Sequence, residues 1–272
     1  MLYGYDDLLR DLENFGGVFS IGKSLFGREL FACVIGDGEP RALIHAGIHA
    51  RESVTSAVLV ETMKAYKGRA VCFVPMLNPD GAMLVKYGVE SADENYREFL
   101  LAVNGGKNFS LWKADGRAVD LNVNFNADWG EGGQNVRQPA PENYIGPAPF
   151  SESETIAIKN LQERYMFTAS MSLHTKGNIL YYGYKNCNNY IKYVKIIAAS
   201  MKMPYAESAG SAGGFKDWFI KSGFGFSVTA ELGNDRLSHP IDASHAAEFS
   251  KTVLKSAGIL ADIGEELWKK NL

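Results

Sequence analysis

The sequence predicts an α/β fold: a single domain with a mixed, mainly parallel central sheet flanked by helices. Three observations carry this. Strand-like apolar runs alternate with helix-like stretches, the pattern of helices packed on a largely parallel sheet. One run, AVCFVPML (70–77), is almost continuously apolar, as a strand buried on both faces would be. The chain has 272 residues, 46% of them hydrophobic, enough for one large core. No repeat or low-complexity linker divides it, so residues 1–272 read as one domain.

In chain order, residues 2–15 read as a short helix, with Leu8, Leu9, Leu12 and Phe15 at helical spacing. ELFACVIG (29–36) is a strand, followed by a Gly-Asp-Gly turn and a second strand, RALIHAG (41–47). SVTSAVLVETMKAY (53–66) reads as a helix whose β-branched residues weaken its intrinsic propensity, a cost that burial overrides. After the 70–77 strand, Asn78-Pro79-Asp80-Gly81 signals a turn. Residues 86–150, rich in Gly, Asn, Pro and aromatics, show little periodicity and are expected to wall a cleft. Ser151 with Glu154 has capping-box spacing and predicts a helix through Glu163. MFTASMSLH (166–174) and FSVTAEL (226–232) are strands, and a final helix spans roughly Ala243 to Leu267.

Composition excludes several classes of function. A net charge of −3 without clustered Lys and Arg gives no sign of a nucleic-acid or anionic-membrane partner. No apolar stretch is long enough for a transmembrane helix. The N-terminus carries Asp6, Asp7, Asp11 and Glu13 and does not read as a secretory signal, so a cytoplasmic location is expected. Cys33, Cys72 and Cys187, odd in number and widely spaced, read as buried reduced thiols.

Polar residues gather where the strands end. RALIHAG leads to His49 and Glu52, AVCFVPML to Asn78 and Asp80, MFTASMSLH to His174, and FSVTAEL to Glu231. Ligands of open α/β sheets bind outside the carboxyl ends of the strands, so these distant segments are expected to meet in one crevice. Imidazole and carboxylate suit zinc, and a catalytic zinc takes three protein ligands. A further carboxylate, Glu231, could take a proton from water. A lone His-x-x-Glu is weak evidence, but an unpaired carboxylate after an apolar strand is costly to bury. His45, inside its strand, is assigned to structure. His239 and His245 lie in a late polar segment and are expected to be exposed or to cap.

The order His49-x-x-Glu52, Asn78-Pro79-Asp80-Gly81, Asp120-Leu121-Asn122-x-Asn124-Phe125, His174, Glu231 resembles the zinc carboxypeptidase superfamily, from about Ser20 to Gly233. The resemblance implies one zinc ion bound by His49, Glu52 and His174. It also implies Glu231 as general base and then acid, and Asp120 as the partner orienting a ligand histidine. Two departures stand out. Val123 replaces the arginine that grips a terminal carboxylate in carboxypeptidases. Ala209 stands where they carry a tyrosine.

WKAD (112–115), VDLN (119–122) and GFKDW (214–218) are similar to segments of the γ-D-glutamyl-diamino acid peptidases of this superfamily. That branch implies hydrolysis of the γ-D-glutamyl–meso-diaminopimelate bond in small muropeptides. Asn122 and Lys216 would bind substrate, Lys216 meeting the distal carboxylate of diaminopimelate. Arg117 would polarise the scissile carbonyl. Competing readings are a carboxypeptidase or N-acyl amino acid amidohydrolase of the same superfamily, or a non-catalytic muropeptide-binding protein.

Overall fold

A computed structural model describes residues 1–185, 190–208 and 210–271; Cys187 and Ala209 lie outside the described residues. Its elements are α1 (Tyr5–Leu12), β1 (Val18–Lys23), β2 (Glu29–Ile35), β3 (Asp37–His45), α2 (Val54–Ala65), β4 (Arg69–Val74), α3 (Pro79–Tyr87) and α4 (Glu94–Asn104). There follow α5 (Ser153–Tyr165), β5 (Ala169–Thr175), β6 (Ile179–Tyr182), α6 (Ile191–Met201), β7 (Tyr205–Glu207), α7 (Phe215–Lys221), β8 (Phe226–Leu232) and α8 (Ala246–Asn271). Eight strands form one sheet in the order β1-β2-β4-β3-β5-β8-β6-β7. The central β4, β3, β5 and β8 run parallel, while β1, β2 and β6 join antiparallel, so the sheet is mixed as expected.

Period-two alternation assigns each central strand residue to a layer. Ile44, Val71, Phe73, Met171 and Val228 pack in one core with α2, α6 and α8. Leu43, Cys72 and Val74 point the other way, into a second core with Ile158 and Leu161 of α5 and Phe215 and Phe219 of α7. Both faces are covered, which explains the continuous apolar runs of β3 and β4. β5 and β8 differ. Ala169, Met171 and Leu173, with Phe226, Val228, Ala230 and Leu232, share the first core. The alternate positions are polar and paired in register: Ser170 beside Ser227, Ser172 beside Thr229, His174 beside Glu231.

Several local expectations are corrected. Asn78-Pro79-Asp80-Gly81 is the start of α3, not a free turn: Asn78 caps it by accepting from the Gly81 N–H at 2.9 Å, and Pro79 takes the first helical position, where no N–H is needed. Within 86–150, α4 forms between an Asp93 cap and a left-handed Gly105, but it buries only Leu100, so its periodicity is weak. Ser151 does not cap α5, which begins at Ser153; its hydroxyl instead donates to Glu152 at 2.6 Å and accepts from Asn124 at 3.0 Å, tying the helix start to the cleft wall. α1 is shorter than expected, β3 already begins at Asp37, and α8 runs on to Asn271.

Behind this wall lie three buried carboxyl groups, Asp115, Glu152 and Glu154. Burial, and then the charge of Asp80, pushes the Glu154 carboxyl up to about 8, so the folded protein holds it neutral near pH 7. The stability this contributes is complete below the ordinary glutamate value of about 4.3. It is lost as pH rises from there towards about 8, because the unfolded chain ionises first. Glu154→Gln is expected to remove that loss, on the order of 2–4 kcal/mol between pH 5 and 8. Thermal melts of both proteins at the two pH values check this; equal pH dependence would reject it.

Candidate active site

β3 ends at His45, and the chain turns through Gly47 (φ +62°) into a 3-10 turn, Ala50–Glu52. A side chain on Gly47 would collide with Ser56, so the turn requires glycine. The Ala50 N–H donates to the Lys113 carbonyl at 3.1 Å, which fixes the turn against the loop before Asp120. His49 precedes the turn and Glu52 closes it, so His49 Nδ1 and Glu52 Oε1 come within 3.0 Å. His174, near the end of β5, places its Nδ1 3.1 Å from His49 Nδ1 and 3.2 Å from Glu52 Oε2. All three side chains are buried, and they are the metal-binding group found among the described residues.

This triangle fits zinc. Ligand bonds of about 2.0–2.1 Å in a tetrahedron put ligand atoms about 3.3 Å apart. Two imidazole nitrogens facing each other beside a carboxylate make poor mutual partners without a shared cation. Burial opposes ionisation of Glu52, yet His49 and His174 hold its carboxyl well below the usual range, as a metal ligand requires. The Thr175 N–H donates to Glu52 Oε2 at 3.1 Å and fixes its plane.

Asp120 stands behind His49, its Oδ1 3.3 Å from Nε2. The same carboxylate accepts from the N–H groups of Asn122 (3.0 Å) and Asn143 (3.1 Å) and pairs with Lys113 Nζ at 2.8 Å. Despite full burial, Lys113 and His49 hold Asp120 well below the carboxylate range. Burial works against the charge of Lys113, but Asp120 outweighs it and keeps the ammonium protonated. Glu231 lies beside His174 on β8; burial, partly offset by the charge of His174, pushes its carboxyl up to about 7.

Lys113, Asn122, Val123, Tyr181, Lys216 and Glu231 line one cleft of about 450 Å³. Asn122 is anchored by accepting the Phe215 N–H at 3.1 Å. Beside it, Gly213 (φ +80°) passes so close to Val123 that a Cβ would lie 2.5 Å from the Val123 carbonyl oxygen. Lys216 is no solvated surface lysine: it is 6% exposed, donates to the Gly183 carbonyl at 2.7 Å and pairs with buried Asp217.

The structure thus brings His49, Glu52 and His174 together and sets Glu231, Asn122 and Lys216 around one cleft. Asp115 accepts the N–H groups of Arg117 and Val119 in a tight turn, and the Arg117 side chain is exposed. Lys113, a second cation of this segment that the sequence analysis did not single out, lies on the cleft wall and pairs with Asp120. Asn78 and Asp80 brace the site without facing it. Asn78 donates to the carbonyls of Ile48 and Ala114, and Asp80 pairs with Arg28 at 2.6 Å.

The remaining histidines divide. His45 Nε2 lies 2.7 Å from Ser172 Oγ and its ring packs edge-on against Phe215; burial brings it down to about 3, a neutral core residue. His245 is half-buried and stacks on Phe249. His239 is half-buried rather than exposed, and its Nδ1 is shielded from solvent.

A family model described as zinc carboxypeptidase matches residues 5–248. Gamma-D-glutamyl-L-diamino acid endopeptidase 1 of Lysinibacillus sphaericus is 29% identical, over 94% of this chain and 71% of its own length. Carboxypeptidase B of Rattus norvegicus is 27% identical over 78% of this chain and 57% of its own length. Among solved structures, bovine thrombin-activatable fibrinolysis inhibitor superposes with a TM-score of 0.75 at 19% identity, covering 99% of this chain and 98% of that one. Murein-tripeptide amidase MpaA from Escherichia coli O157 superposes with a TM-score of 0.62 at 23% identity, covering 91% and 92%. With the family model spanning nearly the whole chain and the His-Glu-His triangle in place, this protein belongs to the zinc carboxypeptidase family and is a zinc metallopeptidase.

Proposed function

We propose that this metallopeptidase hydrolyses the amide bond between γ-D-glutamate and meso-diaminopimelate in small muropeptides, with one zinc ion held by His49, Glu52 and His174. The observation that carries the reading is Val123 on the cleft wall, where carboxypeptidases hold a carboxylate-gripping arginine. Without that fork, the residue leaving with the amine needs no free terminal carboxylate. The likeness to a γ-D-glutamyl-diamino acid endopeptidase supports the choice of substrate.

Bound zinc supplies Lewis acidity, which lowers the pKa of water to about 7 and polarises a carbonyl. Glu231, pushed towards neutrality by burial, takes the proton of the attacking water and returns it to the leaving amine. Lys113, held charged by Asp120, donates to the carbonyl oxygen as negative charge develops there. Asp120 also fixes the His49 ring. Lys216 has donors committed to Gly183 and Asp217; its remaining N–H would meet the distal carboxylate of diaminopimelate. Asn122, rigidified by the start of α7, would orient the peptide.

The proposal is tested by incubating the zinc-loaded protein with defined tripeptide and tetrapeptide muropeptides. Mass analysis is expected to find L-Ala-D-Glu with free diaminopimelate from the first, and with diaminopimelyl-D-Ala from the second. Release of the terminal D-Ala alone would favour a carboxypeptidase. Turnover only of N-acyl amino acids would favour an amidohydrolase. Binding without turnover of any of these would favour a binding protein, against which the half-buried Glu231 on the cleft wall stands.

A further inference from the structure

At the end of the sheet away from the metal ligands lies a second hollow, of about 430 Å³. Gln162, Met166, Thr168, Phe224 and Trp268 line it, with exposed Glu163 beside them. It shares no lining residue with the catalytic cleft. β5 and β8 begin here and carry His174 and Glu231 near their far ends, so the two places are roughly 20 Å apart along the strands. The backbone shapes the hollow. Met166 ends α5 in the left-handed region (φ +52°), and its side chain is left 59% exposed. Gly225 (φ +147°) runs so close to Thr168 that a Cβ would lie 2.2 Å from the Thr168 carbonyl oxygen. That approach lays the 223–225 turn against the start of β5 and brings Phe224 to the hollow. Phe224 packs edge-on against Trp218 and Phe219, and the Arg41 guanidinium sits 3.5 Å from the centre of the Trp268 ring. The aromatic walls are thus held in place by the fold itself.

The polar side chains at its base are short of a donor. Gln162 is 2% exposed, and its Nε2 donates to the Phe167 carbonyl at 3.0 Å. That bond fixes which way the amide points and leaves Oε1 without a partner among the described residues. Thr168 spends its hydroxyl proton on the Gly264 carbonyl at 2.6 Å. A buried acceptor with no donor is costly, and a ligand N–H or O–H would relieve it. The charges nearby select against ions of either sign. Arg41 over Trp268 disfavours a cation, and Glu163, already paired with Lys159 at 2.9 Å, disfavours an anion. The size is that of a small-molecule pocket, apolar with a few fixed polar groups. Aromatic and thioether walls suit a ring. The geometry points to a binding site, separate from catalysis, for a small neutral aromatic compound bearing one hydrogen-bond donor, an indole or a phenol. Its ring lies among Met166, Phe224 and Trp268, and its donor meets Gln162 Oε1.

The test titrates the zinc-loaded protein, labelled with ¹³C at its methionine methyls, with two probes of nearly one shape, indole and 1-methylindole. Indole is expected to shift the Met166 methyl signal, assigned through Met166→Leu, to saturation. It is expected to bind about 5- to 10-fold tighter than 1-methylindole, the value of one hydrogen bond. Trp268→Ala is expected to weaken both probes by about tenfold or more, and Gln162→Leu to weaken indole alone and bring the two level. The comparison of probes needs only the wild type, so a variant that fails to fold does not obscure it. Equal affinities of the wild type for the two probes would overturn the role of Gln162. Failure of indole to saturate, or saturation that leaves the Met166 signal unmoved, would overturn the site. Tighter binding of tryptamine or indole-3-acetate than of indole would overturn the choice of a neutral ligand.

Discussion

Glu231→Gln is expected to keep zinc at wild-type stoichiometry and to lower kcat by about 10²- to 10⁴-fold, the range for removing a general acid–base group. Glutamine keeps the shape of the side chain but cannot carry the proton. Glu231 is not among the three ligand residues, so metal content should not follow the loss of rate. Burial raises its carboxyl to about 7, and a dication beside it would pull that value down again, so the acid limb of the kcat/KM profile is expected below pH 7 and absent in the variant. Metal analysis with steady-state rates on the tripeptide provides the measurement. Wild-type turnover by the variant would remove Glu231 from the mechanism.

His174→Ala is expected to abolish both stoichiometric zinc and turnover. The triangle then loses one corner, leaving His49 and Glu52 from a single turn. Saturating zinc, at about a thousand times its dissociation constant, should stabilise the wild type by about 4 kcal/mol and the variant by almost nothing. Melting curves with and without zinc report this independently of activity. A variant that still holds one equivalent of zinc would show that His174 is no ligand.

How much of this was legible in the sequence depended on how each residue is positioned. His49, Glu52, His174 and Glu231 follow apolar strands, and strand ends converge in a parallel sheet, so their gathering could be anticipated without a map of the loops. The alternation in SMSLH and SVTAE was also readable as one apolar face and one polar face. The place of Lys113 on the cleft wall was not. It depends on the path of a loop held by Asp115 and by the Ala50–Lys113 bond, contacts distant in sequence. NPDG was ambiguous because turns and helix starts share the same capping chemistry. β1 escaped because it is half-buried on both faces and carries a bulge between Ser20 and Gly22. His239 gave no local sign, since its burial comes from the neighbours it meets across the fold.

The pairing of His174 with Glu231 across β5 and β8 has a consequence for how such a protein can change over time. Adjacent strands sit about 4.8 Å apart. The separation of metal holder and proton carrier is therefore an interstrand spacing, beyond the reach of any loop. Inserting one residue into either strand would swing its reactive group to the opposite side, among the leucines and valines under α8. The cleft walls at 132–135 and 210–214 can thus drift towards new substrates while the reaction centre is inherited unaltered.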